Sequence, residues 1–278
     1  MKRIPDFRRY REEGRRIAMV TCYDAWSARL IASSGVDCVL VGDSSAMVVH
    51  GHATTVSATT PMIADHVAAV RRAAPDLLAV ADMPFLAHRQ GVAHAVATAG
   101  ALLQAGAQAV KLEGLRGHEQ VVEALVQAGV PVMGHLGLTP QSVHQLGGHR
   151  VQGRSAEAAR RLLEDARGLE RLGAFGVVLE MVPSELAREV TRGLGIPTIG
   201  IGAGPHTSGQ ILVLHDLLGL DPRFRPRFVR RYLEGAELVR GALDRYAEDV
   251  RSDRFPSEQE AHHADGVGLD TELANAPG

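Results

Sequence analysis

The stretch Cys38-Val-Leu-Val-Gly-Asp-Ser-Ser-Ala46 is apolar for four residues, turns at a glycine and stops on an acid. The same outline recurs in Leu77-Leu-Ala-Val-Ala-Asp-Met-Pro84, in Ala109-Val-Lys-Leu-Glu-Gly114 and in Gly176-Val-Val-Leu-Glu-Met-Val-Pro183. Short apolar runs that end at a turn read as buried strands. Eight such runs are present, at 17–21, 38–42, 77–81, 109–112, 130–134, 176–179, 198–201 and 211–214. Between most of them lie segments of helical periodicity, at 61–73, 92–104, 119–128, 156–172 and 184–193. Gly106, Gly129 and Gly173 sit where helices end, as glycine tolerates the left-handed backbone that closes a helix. Strand–helix alternation specifies parallel strands joined by crossover helices. Eight such units, with a last helix expected over Arg227–Val250, specify a closed (β/α)8 TIM barrel. The alternative is an open doubly wound sheet. Its glycine-rich fingerprint is missing after the first strand, which reads Thr21-Cys-Tyr-Asp24, and acids recur at many strand ends instead of one switch point.

The bulk composition agrees with one barrel. The chain has 278 residues, 45% of them hydrophobic, enough for a single large core. A formal net charge of −2 argues against a general electrostatic grip on nucleic acid. Cys22 and Cys38 are the sole cysteines, so neither a disulfide framework nor a thiolate metal cluster is indicated, and a reducing compartment fits. The charged N-terminus lacks a secretory apolar segment, and no window approaches the roughly 20 apolar residues of a membrane span. The expectation is a soluble cytoplasmic protein. Its single barrel domain covers 1–250, with a polar amphipathic lead-in over 1–14 and a disordered tail over 251–278. His262 and His263 in that tail read as chance neighbours, not a metal site.

If alternate strand residues face inward, the second strand presents Val39, Val41 and Asp43. The third presents Leu78, Val80 and Asp82, and the fourth Ala109, Lys111 and Glu113. The acids then gather at the C-terminal rim, where barrel active sites lie. Neighbouring strands are about 4.8 Å apart, so three carboxylates there repel unless a positive group stands among them. An all-oxygen set without cysteine points to Mg²⁺. Each acid also has a plainer role: Asp43 as a cap for the next turn, Asp82 as a turn initiator, Glu113 as an exposed acid. Three acids in matching register on adjacent strands favour the metal.

Lys111 and Lys2 are the only lysines among 30 basic residues, so a lysine inside an apolar strand is no accident of usage. It can pair with Asp82 or Glu113, bind a substrate carboxylate, or form a Schiff base; nearby acids disfavour the last by keeping the amine protonated. Glu180 ends the sixth strand with Val178 behind it. It reads either as a general base or as an acid ahead of the helix at Ser184. His135 continues the inward face of Met133 and can donate to substrate or to backbone. Gly200–Gln210 is glycine-rich at a barrel position that often binds phosphate, although glycine also serves tight turns.

Taken together, TCYDAWSA, LVGDSSAMVVHGHATT, ADMPF, AGAQAVKLEG, GHLGLTPQSV, VLEMVP and IGIGAGPHTSGQILVLHD resemble the ketopantoate hydroxymethyltransferase family. The match runs in order from Ile17 to Asp249. The resemblance implies a TIM barrel of the phosphoenolpyruvate/pyruvate type with one Mg²⁺ per subunit. It implies transfer of a one-carbon unit from 5,10-methylenetetrahydrofolate to 3-methyl-2-oxobutanoate, on the route to pantothenate and coenzyme A. The family's metal carboxylates match Asp43, Asp82 and Glu113, and its substrate contacts match Asp43, Ser44, Asp82 and Lys111. Its proton acceptor matches Glu180, and His135 is placed to position the keto acid. A cytoplasmic homodecamer is implied. One departure is Glu113-Gly114-Leu115, where Glu-Gly-Gly is expected, which puts the local loop shape in question.

Overall fold

A computed structural model describes residues 2–263; the remainder of the expected tail, 264–278, lies outside the described residues. The chain opens with α1 (Ile4–Glu12), β1 (Ile17–Thr21), α2 (Ala25–Ala32), β2 (Cys38–Val41) and α3 (Ser45–Val48). It continues through α4 (Thr60–Ala73), β3 (Ala79–Asp82), α5 (Val92–Gln104), β4 (Ala109–Glu113) and α6 (Glu119–Gln127). Then come β5 (Val132–Gly137), α7 (Val143–Leu146), α8 (Ala156–Arg171), β6 (Gly176–Glu180) and α9 (Ser184–Gly193). It ends with β7 (Thr198–Ile201), β8 (Gly209–Leu212), α10 (Leu214–Leu217) and α11 (Gly235–Arg251). Each strand pairs in parallel with the next, and β8 pairs back to β1 through Ile17–Gly209 to Val20–Leu212. The barrel is closed, and the open-sheet alternative is excluded.

Local chemistry sets the helix starts. Asp24 caps α2 by accepting from the Ser27 N–H at 2.9 Å, and Ser155 caps α8 by accepting from the Ala158 N–H at 3.1 Å. Gly106, Gly129 and Gly173 all have positive φ at helix ends, as expected. The last helix differs from expectation: β8 ends at Leu212, α10 is one turn, and the long helix starts only at Gly235. Residues 227–234 are held to α10 instead: the Tyr232 and Gly235 N–H groups donate to the Leu217 and Leu218 carbonyls, each at 2.8 Å, which takes these residues out of the expected helix. Residues 252–260 include turns, with Arg254 donating to Asp249 at 2.8 Å.

Two apolar layers make the core. Val39, Val41, Ala79, Ala81, Val110 and Leu112 face the surrounding helices, while Met19, Cys38, Leu40, Val80, Met133, Val178 and Ile199 fill the barrel. The lead-in is a structural plug. Phe7 and Tyr10, three apart on one face of α1, are buried with the interior cluster, and the Phe7 ring meets Phe175 edge-on at 5.5 Å. Burying a side chain of that size contributes about 1.5–3 kcal/mol.

The expected face of β2 is wrong by one residue. Cys38 and Leu40 point inward, and Val39 and Val41 pack outward. Gly42 takes the next inward position, where an added Cβ would lie 2.9 Å from Ser44 Oγ and 3.2 Å from Asp82 Oδ2. The strand ends before Asp43, so a turn, not strand alternation, delivers that carboxylate to the rim.

Candidate active site

At the C-terminal rim, cross-strand register sets the charged residues side by side. Asp82 pairs with Lys111, Glu113 with His135, and Gly137 with Glu180. Gly137 has φ +95°, and a Cβ there would meet the Glu180 carbonyl at 2.2 Å. Glycine alone permits this approach of β5 to β6. Met181, directly after Glu180, holds φ +47°, a strained value for a side-chain-bearing residue. Hydrogen bonds from Met181 N to the Ile201 carbonyl (2.9 Å) and from Gln152 N to the Met181 carbonyl (2.8 Å) hold it there.

The side chains form one connected cluster. Lys111 Nζ lies 2.5 Å from Asp82 Oδ1 and 3.2 Å from His135 Nδ1. Asp82 Oδ2 accepts from the Asp43 N–H at 3.0 Å. His135 Nδ1 is 3.4 Å from Glu113 Oε1, and its Nε2 is 3.1 Å from Glu180 Oε2. Asp43, Asp82, Lys111, Glu113 and His135 are all buried, and Glu180 is 16% exposed. Gln141 ties the acids from behind: its Nε2 donates to Asp43 Oδ2 at 2.8 Å and its N–H to Glu113 Oε2 at 3.0 Å. Ser44 Oγ shares a 2.8 Å hydrogen bond with the buried phenol of Tyr23.

The plainer roles for these acids are not realised. Asp43 accepts from Gln141, not from a following turn; Asp82 accepts from Asp43; Glu113 is buried; Glu180 faces His135. His135 meets side chains, and the apolar surroundings expected for Glu180 are modified by that imidazole. Burial and the charges of Asp82 and Glu113 push the Asp43 carboxyl well above its usual range, against the opposing pull of Lys111 and Gln141. Burial works against the Lys111 ammonium, but Asp82, Glu113 and Asp43 outweigh it and hold the amine charged, so a Schiff-base role is disfavoured. Burial and Lys111 likewise oppose charge on His135, and hydrogen bonding to Glu113 and Glu180 overcomes them, to about 9.

The charge balance is suited to a cation. Three buried acids face one ammonium and one imidazole, and Glu113 Oε1 has only the 3.4 Å approach of His135 Nδ1. Among the described residues, no three carboxylate, imidazole or thiolate groups already stand at common ligand spacing.

A cavity of about 590 Å³ opens above this floor. Its mouth is lined by Met47, Val48, Met181, Leu220, Phe224 and Phe228. Gln141 and Tyr23 were not legible as site residues. Gln141 sits in the quoted GHLGLTPQSV stretch, but its reach to Asp43, 98 residues away, follows from tertiary structure. The glycine-rich loop serves packing: a Cβ at Gly204 would overlap Ser184 Oγ. Leu115 packs on Gly168, and Gly114 and Gly117 take the positive φ values in that loop.

Comparison with known proteins follows the same lines. A family described as ketopantoate hydroxymethyltransferase matches residues 1–258. A 3-methyl-2-oxobutanoate hydroxymethyltransferase of Bdellovibrio bacteriovorus is 51% identical over 262 residues, covering 94% of this chain and 100% of that one. One from Coxiella burnetii is 50% identical over 253 residues, covering 91% and 95%. In fold, a phosphonopyruvate hydrolase solved with oxalate and Mg++ aligns with TM-score 0.61 at 11% identity, covering 94% of this chain and 93% of that one. A 2,3-dimethylmalate lyase of the PEP mutase/isocitrate lyase superfamily aligns with TM-score 0.58 at 19% identity, covering 99% and 98%. Among the described residues, no helix is long and apolar enough to cross a membrane.

Proposed function

Because this chain belongs to the ketopantoate hydroxymethyltransferase family, we propose that it transfers a hydroxymethyl unit from 5,10-methylenetetrahydrofolate to 3-methyl-2-oxobutanoate, giving 2-dehydropantoate. The observation that carries this reading is the division of one cavity into an acid-and-ammonium floor and an apolar mouth. The floor suits a small oxo acid, and the mouth suits a flat heteroaromatic donor.

Asp43, Asp82 and Glu113 are the residues that would hold one Mg²⁺, and an ion there supplies positive charge for the keto oxygen as negative charge develops on it. Oxalate and Mg++ in the phosphonopyruvate hydrolase of the same fold are in keeping with that choice. Lys111 binds the substrate carboxylate with a charge fixed by its acidic neighbours. The Ser44 hydroxyl, oriented by Tyr23, adds a hydrogen bond. Glu180 removes the C3 proton, and His135 Nε2, 3.1 Å away, holds the carboxylate in place. The carbon so activated attacks the iminium methylene of the folate in the mouth, and water then replaces the folate nitrogen on that carbon, which leaves the hydroxymethyl group and releases tetrahydrofolate.

The proposed assembly is a cytoplasmic homo-oligomer, a decamer. An exposed stripe of Val239, Leu243, Tyr246 and Val250 along α11 supports association, since monomers seldom expose so long an apolar face. The test of the chemistry is solvent exchange at C3. Glu180→Gln is expected to stop exchange while leaving keto-acid binding largely intact; exchange at the wild-type rate removes Glu180 from the role of base. Product formation that ignores methylenetetrahydrofolate would remove the donor.

A further inference from the structure

The acids of the cavity floor are all engaged with one another, with Lys111, with His135 or with Gln141. The mouth carries two more, Asp216 and Asp221. Asp221 is exposed and satisfied, its Oδ1 accepting from Arg223 N at 2.9 Å and lying 3.4 Å from Arg223 Nε. Asp216, on α10, is half-buried, and its carboxylate has no hydrogen bond or ion pair with any described residue (only its backbone is bonded, to Val213 and Gly219). The neighbouring cation, Arg231, is committed elsewhere. It meets Glu234 Oε2 at 3.1 Å and donates to the carbonyls of Asp221 (2.7 Å) and Phe224 (3.1 Å). Those bonds brace the segment that carries Phe224, so the apolar walls around Asp216 are preformed.

A half-buried carboxylate without a donor is unfavourable unless a ligand supplies one. Burial, and then the charge of Asp221, push this carboxyl up to about 6, against Arg231. A ligand for this place needs a flat apolar body to fill the mouth and two adjacent N–H donors on one edge, matched to the two oxygens of a carboxylate. A pterin has both: a planar ring system, and an N3–H beside a 2-amino group.

We propose that Asp216 anchors the pterin ring of the folate donor, accepting hydrogen bonds from N3–H and the 2-amino group while Phe224, Phe228 and Met181 line the ring's berth. This rests on the folate reading given above. It assigns specificity for the donor to a residue remote from the acid floor, so keto-acid activation and folate binding are separable.

The test is binding of tetrahydrofolate to the full-length enzyme with Mg²⁺, for wild type and the near-isosteric Asp216→Asn, alongside the KM for methylenetetrahydrofolate. The amide keeps one acceptor and turns a donor toward the pterin. The dissociation constant and KM are expected to rise about 10- to 100-fold, the range for losing a hydrogen bond to a charged group, with kcat changed far less. A 2-desamino-2-methyl tetrahydrofolate probes the contact from the other side, without altering the protein. It should bind wild type about tenfold more weakly than tetrahydrofolate, yet bind Asp216→Asn no worse than tetrahydrofolate does. Equal tetrahydrofolate affinity in both proteins, or wild type indifferent to the 2-amino group, overturns the assignment. Wild type that neither binds tetrahydrofolate nor needs the donor overturns the folate reading itself.

Discussion

Replacing Lys111 with methionine removes the one ammonium among Asp43, Asp82 and Glu113 while keeping much of the apolar stem. Both partners of the 2.5 Å Lys111–Asp82 pair are almost fully buried, so water cannot screen what is left. Breaking a buried pair by deleting one partner typically costs 3–5 kcal/mol. The loss has a ceiling. A carboxyl can take up a proton instead, which costs about 4 kcal/mol at pH 7 for an ordinary carboxyl at about 3.9. Asp43, already held high by burial and its acidic neighbours, needs less, and loss of Lys111 pushes it further up. The expected destabilisation is therefore about 2–4 kcal/mol at pH 7 in the presence of a chelator. The folded variant then holds a proton that the unfolded chain releases near pH 4, so the stability this proton contributes grows as pH falls. The deficit should shrink by up to about 1.4 kcal/mol per unit between pH 7 and pH 5. Urea unfolding of wild type and variant at both pH values reads this directly. A deficit under 1 kcal/mol, or one equal at the two pH values, refutes the charge argument. Keto-acid affinity should also fall in Lys111→Met.

His88 and His118 are buried beside each other, ring centroids 4.7 Å apart, and burial foremost, reinforced by nearby positive charge, lowers them to about 3 and about 4. The unfolded chain binds those protons first as pH falls, so their contribution is complete above about 6.5 and is lost below it. The loss is about 2 kcal/mol for each ring by pH 5. His118→Phe should flatten the acid limb of a stability–pH curve by about half of the two-histidine effect, and an unchanged slope rejects the assignment. Gln141→Leu removes the 2.8 Å hydrogen bond to Asp43 and should weaken Mg²⁺ binding about tenfold by calorimetry, the usual loss for an outer partner of a metal ligand; unaltered affinity would exclude that role.

The strand–helix alternation was legible because a strand buried on both faces and an amphipathic helix differ in period and length. Asp82, Lys111, Glu113, His135 and Glu180 all fall at inward positions that alternation alone identifies. Asp43 reached the site by a different route from the one its strand implied. An unbroken Cys38–Val41 run is apolar on both faces, so nothing in it marks which face is inner; Gly42 decides that by lacking a side chain where Asp82 and Ser44 need room. Gln141 was invisible for a related reason. Pro140–Ser142 forms a helical turn, but a turn does not tell where a long amide reaches. The plug made by Phe7 and Tyr10 was readable only as amphipathicity, since two aromatic residues in a charged segment do not name their partner.

The central claim is that the rim carboxylates hold an ion that lets Glu180 deprotonate C3 of an α-oxo acid. Its most direct measurement is nuclear magnetic resonance of 3-methyl-2-oxobutanoate in D₂O with metal-stripped enzyme, no folate, before and after addition of Mg²⁺. The account predicts no enzyme-dependent loss of the C3 proton signal at first, then saturable loss as Mg²⁺ is added, absent in Glu180→Gln. Exchange at full rate in the presence of a chelator would contradict it.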